Sequence, residues 1–368
     1  MLHLKSQKAL NNSPTPKMSQ LEAPVSNNSR QARSSVVPGV MTEIAIDELI
    51  APAMQSVDAK IQASLQSDVV LINQMGTYII GAGGKRLRPK LVVLSALALG
   101  YQGAFHTNIA AVIEFIHTAT LLHDDVVDSS SLRRGQQSAN DVWGNEAAVL
   151  VGDFLYSRSF EMMVEVGQMR VMEILSAATN TIAAGEVMQL MNIGEPDTTE
   201  HRYMDVISAK TGKLFEAATR LGAVLADSDK ATEQSLAEYG AHLGIAFQLI
   251  DDVLDYTASA NDLGKNVGDD LIEGKPTLPL IYALQTAESK DSEVIRKALS
   301  DAQQVGQLSD EIVQSVVRLV CKSDAVEKTV KRAQQHVDTA ISAISCLPAS
   351  SYKDALTAIA KTSVQRRF

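Results

Sequence analysis

The chain has 368 residues, with 33 basic against 43 acidic side chains and a formal net charge of −10, which argues against a nucleic-acid binder held by a basic surface. Hydrophobic residues make up 45% of it, enough for a sizeable core and too many for a chain disordered throughout. Only two cysteines occur, Cys321 and Cys346, without disulfide or metal–thiolate spacing, so a reducing, cytoplasmic setting is expected. No apolar run reaches the roughly 18 uncharged residues that a membrane-spanning helix needs.

Residues 1–40 carry Lys5, Lys8, Lys17, Arg30 and Arg33 against Glu22 alone. Rich in Ser, Asn, Gln and Pro and lacking a sustained apolar face, they read as a flexible N-terminal extension, with an organelle transit peptide as the sharper alternative. Across residues 41–368 apolar side chains recur every three or four positions, as in Leu71, Met75, Tyr78 and Ile79 or Ile109, Val112, Ile113 and Ile116. That period predicts a single all-α domain, a helical bundle. No proline falls between Pro89 and Pro196 or between Pro196 and Pro276, which leaves two long stretches without a helix breaker. Breaks are expected at 81–84, 129–140, 192–199, 227–230, 259–275 and 347–350, each rich in Gly, Pro, Ser, Asn or Asp.

Within this frame Gly83 and Gly84 precede Lys85, Arg88 and Pro89 at a helix start, where free backbone N–H groups and the helix dipole favour an anion. Next comes a DDxxD pattern, Asp124, Asp125 and Asp128, followed by Arg133, Arg134 and Gly135. On a helix positions i and i+4 share a face with i+1 beside them, so the three carboxylates are expected to converge. A second copy, Asp251, Asp252 and Asp255, ends another apolar stretch, and Lys210 with Thr211 lies between the two. Clustered carboxylates repel unless a cation joins them, and oxygen-only ligands suit Mg2+ shared with substrate phosphates. One such motif alone reads as a solvated helix end; two, each following apolar residues, favour a paired diphosphate site. Lys265 and Lys275 flank the second copy, while His117 and His123 read first as core histidines. No Ser-His-Asp or Cys-His order, phosphate-binding GxxxxGK[ST] or dinucleotide GxGxxG occurs.

GGKRLRP, IEFIHTATLLHDDVVD, SLRRG, VGDFLYSRSF, GEVMQLMN, KTGKLFEAA, FQLIDDVLDY and LGKNVGDDLIEGKPTLPL follow one another from residue 83 to 280. In order and spacing this set resembles the trans-polyprenyl diphosphate synthases, most closely the long-chain branch that includes bacterial octaprenyl diphosphate synthases. The resemblance implies the all-helical prenyl-synthase fold around a central cavity, a homodimer, and Mg2+, three ions with allylic substrate bound. It implies that Asp124, Asp125, Asp128, Asp251, Asp252 and the more peripheral Asp255 hold the metal. Arg133, Lys210 and Lys265 would then bind the allylic diphosphate, Lys85, Arg88, His117 and Arg134 isopentenyl diphosphate, and Thr211 and Gln248 would flank the reacting carbons.

In such enzymes a bulky aromatic five residues before the first aspartate stops growth early. Ala119 stands there, with Thr120, Ile116 and Val112 down the same helix and Met162 and Met163 as candidate floor, so the resemblance implies an octaprenyl (C40) or nonaprenyl (C45) product for quinone side chains. Ordinary core packing is an equal reading of the two methionines. Two other readings stand beside elongation: a class I terpene cyclase, whose second metal motif normally mixes Asn, Ser or Thr and Glu, and a non-catalytic regulatory subunit, which usually loses aspartates or bases. Arg366 and Arg367 at the C-terminus read as a solvated tail.

Overall fold

The computed structural model describes residues 41–81, 84–133, 135–257, 267–305 and 308–365. The expected flexible extension, Arg134, Lys265, Arg366 and Arg367 lie outside the described residues. Thr42 starts the first helix, its hydroxyl accepting from the Ala45 N–H at 3.2 Å. Helices α1 (Glu43–Ser64), α2 (Val70–Gly81), α3 (Leu87–Ala98) and α4 (Phe105–Val127) come first. A two-residue antiparallel pair, β1 (Leu132–Arg133) with β2 (Gln136–Gln137), closes the following loop and is the only sheet among the described residues. Then come α5 (Ala139–Trp143), α6 (Asn145–Val166), α7 (Met169–Asn192) and α8 (Glu200–Ile207). A π-helical turn, Ser208–Gly212, joins α8 to α9 (Lys213–Leu225), followed by α10 (Lys230–Thr257), α11 (Asp269–Ile272) and α12 (Leu278–Thr286). The chain ends with α13 (Ser289–Val305), α14 (Asp310–Lys322), α15 (Ala325–Ala343) and α16 (Ser351–Ser363).

The all-α expectation holds, and helices end near 81, 128, 192, 226 and 346 as the breakers imply. The breaks at 65–69, 99–104, 167–168, 287–288 and 323–324 are additional. Several turn on one residue: Gly167 closes α6 at φ 70, a backbone region open to glycine at little steric cost. Proline-free stretches marked the helices well, yet α1 runs through Pro52, whose side is exposed.

Helix α4 is the central rod, with Ile109, Val112, Ile113, Phe115, Ile116 and Ala119 wholly buried against α1, α3, α6 and α9. Helix α10 lies between α9 and α15. Its approach to α9 depends on Gly240 and Gly244; a Cβ on Gly240 would stand 2.4 Å from the Phe215 carbonyl oxygen. The two helices that end in aspartate clusters are therefore buried along their length, and the clusters emerge at their C-terminal ends. No helix among the described residues is long and apolar enough to cross a membrane. Cys321 and Cys346 are both free thiols, as their spacing implied.

Candidate active site

The last turn of α4 carries Asp124, Asp125 and Asp128, and each carboxylate has found its own cation. The Arg133 Nε, on β1, donates to Asp125 Oδ1 at 2.9 Å. Lys275, from the loop after α11, donates to Asp128 Oδ2 at 2.8 Å and also pairs with Glu273. Lys210 stands 3.4 Å from Asp124 and 2.6 Å from Glu186 on α7. The three carboxylates thus meet cations from three separate elements, and Asp124 and Asp128 stand close enough for their charges to act on each other.

Lys210 and Thr211 are set by the π-helical turn, whose extra residue per turn swings side chains off the regular α-helical faces. The turn lies directly on the backbone of α7 because position 185 is glycine. A Cβ there would meet the Lys210 nitrogen at 2.8 Å and the Ala209 Cβ at 2.9 Å.

The second cluster closes α10. Asp252, only 2% exposed, accepts the Tyr203 hydroxyl on Oδ2 and the Gln248 Nε2 on Oδ1 at 2.8 Å. The Thr211 hydroxyl in turn donates to Gln248 Oε1 at 2.9 Å, so the two expected reaction-flanking residues do meet. Asp255 is buried and accepts from the Asp270 N–H at 3.3 Å, and Asp251 is half-buried beside them. The adjacent residues Lys210 and Thr211 connect the two clusters, Lys210 pairing with Asp124 and Thr211 reaching Asp252 through Gln248.

Burial raises the carboxyl of Asp124, with Lys210 opposing it, and raises Asp252 well above the usual range, with Asp270 adding to the effect. Burial and then Asp270 push Asp255 up to about 9. Burial works against the charge of Lys275, but Glu273, Asp128 and Asp270 outweigh it and keep the ammonium firmly protonated. These acids lack enough positive charge, which a divalent cation would supply. Among the described residues no three His, Cys, Asp or Glu side chains form a ready cage. Hard oxygen donors of this kind fit Mg2+, which keeps waters and relies on substrate phosphate oxygens.

The expected anion-binding bases divide. Arg88 Nη1 lies 2.9 Å from His117 Nε2, with its guanidinium 4.5 Å over the Phe215 ring, so these two residues are brought together. Lys85 is mostly exposed and pairs with Glu43 at 3.2 Å. Arg86, between them, adopts a left-handed backbone (φ 47) and pairs with Glu114 and Asp58. A pocket lined by Arg86, His117, Leu121, Asp125, Arg133 and Gln137 opens beside the first cluster. His123, read as a core histidine, is instead half-exposed, its Nε2 3.2 Å from the Val149 carbonyl oxygen and 3.4 Å from Asp153.

The polyprenyl synthetase family model matches residues 69–316. The chain belongs to the polyprenyl synthetase family. The synthase, a prenyltransferase, is 50% identical over 321 residues to octaprenyl diphosphate synthase of Escherichia coli, spanning 87% of this chain and 98% of that one. It is 42% identical to a nonaprenyl-diphosphate synthase of Rhodobacter capsulatus described as geranyl-diphosphate specific, over 87% of this chain and 97% of that one. A polyprenyl synthase from Caulobacter crescentus, solved with calcium and isoprenyl diphosphate, superposes with a TM-score of 0.85 at 41% identity, covering 89% of this chain and 98% of that one.

In the synthase, the candidate chain-length residues run down from the first cluster. Ala119 and Ile116 have no exposed surface, Met162 and Met163 on α6 are 1% exposed, and the half-buried Thr120 donates to the His117 carbonyl oxygen at 2.9 Å. Sequence reading gave no role to Glu186 or Tyr203. Glu186 lay inside the quoted GEVMQLMN, and Tyr203 stands seven residues, two helical turns, before Lys210; that spacing was the one available signal.

Proposed function

We propose that the protein condenses isopentenyl diphosphate head-to-tail onto an allylic diphosphate, farnesyl diphosphate as primer, and repeats the step to an octaprenyl (C40) or nonaprenyl (C45) diphosphate for quinone side chains, acting in the cytoplasm. The carrying observation is that the ends of the two cluster-bearing helices meet at one turn, where Lys210 pairs with Asp124 of the first cluster and the adjacent Thr211 reaches Asp252 of the second through Gln248. The named long-chain relatives support the product class.

Residues of the two clusters, Asp124, Asp125, Asp128, Asp251, Asp252 and Asp255, hold Mg2+, three ions when the allylic diphosphate is bound. The metal, when bound, supplies Lewis-acid neutralisation of the departing diphosphate. Arg133 orients the Asp125 carboxylate, and Tyr203 with Gln248 orients that of Asp252, for metal binding. Lys210, Arg133 and Lys265 take the allylic diphosphate, and Lys210 exchanges Glu186 and Asp124 for phosphate oxygens as it does so. Arg88 and His117, with Lys85 and Arg134, take isopentenyl diphosphate; Lys85 is exposed enough to swing onto it. Thr211 and Gln248 present hydroxyl and carbonyl dipoles to the allylic cation, and the apolar wall below excludes water. Growth proceeds past the small Ala119 along Ile116 towards Met162 and Met163, displacing packed side chains.

A homodimer is supported by an apolar face on α6 and α7: Leu150, Val164, Met169, Val187, Leu190 and Met191 are each more than half exposed. The test incubates purified protein with farnesyl diphosphate, labelled isopentenyl diphosphate and Mg2+, then sizes the dephosphorylated products by reversed-phase chromatography. A dominant C40 or C45 product is expected, absent with EDTA and in Asp124→Ala. Failure to elongate any allylic primer would overturn the proposal.

A further inference from the structure

We infer that Tyr203 is a positioning residue for the reaction proposed above, on which this inference rests: it holds the buried Asp252 carboxylate so that the Gln248 amide, and with it Thr211, is locked in one orientation. Tyr203 sits on α8, 5% exposed, in an apolar cluster with Ile207, Ile245, Leu249 and Ile250. Phenylalanine would fill that space equally well, so the hydroxyl is what demands an explanation. It donates to Asp252 Oδ2, while Asp252 Oδ1 accepts from Gln248 Nε2 at 2.8 Å.

A glutamine amide has a donor end and an acceptor end. A carboxylate offers only acceptors, so with Nε2 bound to Asp252 the Oε1 must face the other way. There it receives the Thr211 hydroxyl at 2.9 Å. The chain Tyr203, Asp252, Gln248, Thr211 therefore runs from the apolar core to the turn beside Lys210, and each link fixes the polarity of the next. Without the phenol, one oxygen of a buried carboxylate loses its donor. The group then turns to find another, and the amide is released to flip its dipole. Dipoles aimed where charge develops act on the chemical step, whereas the diphosphates are held by other residues.

The experiment compares Tyr203→Phe with wild type for a single isopentenyl addition. The expected result is kcat lower by about 10- to 100-fold, the range typical of lost outer partners of a site, with both KM values unchanged at saturating Mg2+. Unchanged kcat, or a loss expressed only in raised KM, would overturn the inference. A second readout needs neither metal nor activity: melting of metal-free Tyr203→Phe, Asp252→Asn and the double variant. Because the hydroxyl serves the carboxylate, the double variant should melt no lower than Tyr203→Phe alone, even if that single variant folds poorly; additive losses would overturn the inference. Absence of elongation by wild type would count against the proposed reaction, while this melting comparison would still judge the positioning role.

Discussion

Ala119 shows how much one side chain can decide. It has no exposed surface, and it follows His117, which contacts Arg88, on the helix that ends in the first acidic cluster. A tyrosine there would intrude on the path of a growing chain, so Ala119→Tyr is expected to shorten products towards C15 or C20. Added bulk in a packed site costs about 1–3 kcal/mol, so melting is followed alongside product sizing. An unchanged product length in folded protein would remove Ala119 from that path. At the same scale, the clustered aspartates, lysines and arginines were legible in the sequence as a charged set, because charge at fixed spacing needs no tertiary information. Glu186 and Tyr203 were not legible. Their roles come from contacts with Lys210 and Asp252 across 24 and 49 residues of chain.

At the scale of elements, the π-helical turn between α8 and α9 carries the site. Its geometry depends on Gly185, which lets α7 lie on the Lys210 backbone. Gly185→Ala would place a methyl 2.8 Å from the backbone nitrogen of Lys210, where no flexible side chain can yield. It is expected to destabilise the protein by about 1–3 kcal/mol, as overpacking does. It should also reduce kcat by moving Lys210 and Thr211, measurable as a lower melting temperature and slower single addition. Gly76→Ala is a useful contrast, since its Cβ would meet only the Leu65 side chain, at 3.0 Å, and a smaller loss of stability with unchanged kcat is expected. Helices themselves were legible from the three- and four-residue period. The short breaks near 99–104 and 167–168 were not, because each is too brief to interrupt that period.

For the whole molecule, the α10–α15 interface contains a histidine pair whose ring nitrogens, His242 Nδ1 and His336 Nδ1, lie 2.7 Å apart. Burial, then His242 and Arg332, lower His336 to about 4, and burial also lowers His242. A histidine neutral when folded and protonated when unfolded supplies stability that is complete above the unfolded value of about 6.5 and is lost as pH falls through about 4. Asp252 and Asp255, raised by burial, act in the opposite direction over this interval in metal-free protein. The readout is therefore a difference: between pH 7.5 and 5, His336→Phe should lose less melting temperature than wild type. Equal losses would show that His336 takes up its proton as readily in the folded state as in the unfolded one. The exposed α6–α7 face gives the other prediction at this scale, that Val187→Arg with Leu190→Glu lowers the mass measured by light scattering from dimer to monomer.

The sequence alone determined the helical class, the positions of the two acidic clusters and of the bases around them and, through the order of its motifs, the family. Each is carried by local periodicity or by residue type at short spacing, which survives without knowledge of the fold. The tertiary structure decided which cation answers which carboxylate, the connection of the clusters through Lys210 and Thr211, the embedding of Asp252 between Tyr203 and Gln248, and the burial that shifts the acids. These depend on distances between residues far apart in the chain and on exclusion of water, and both arise only when the helices pack.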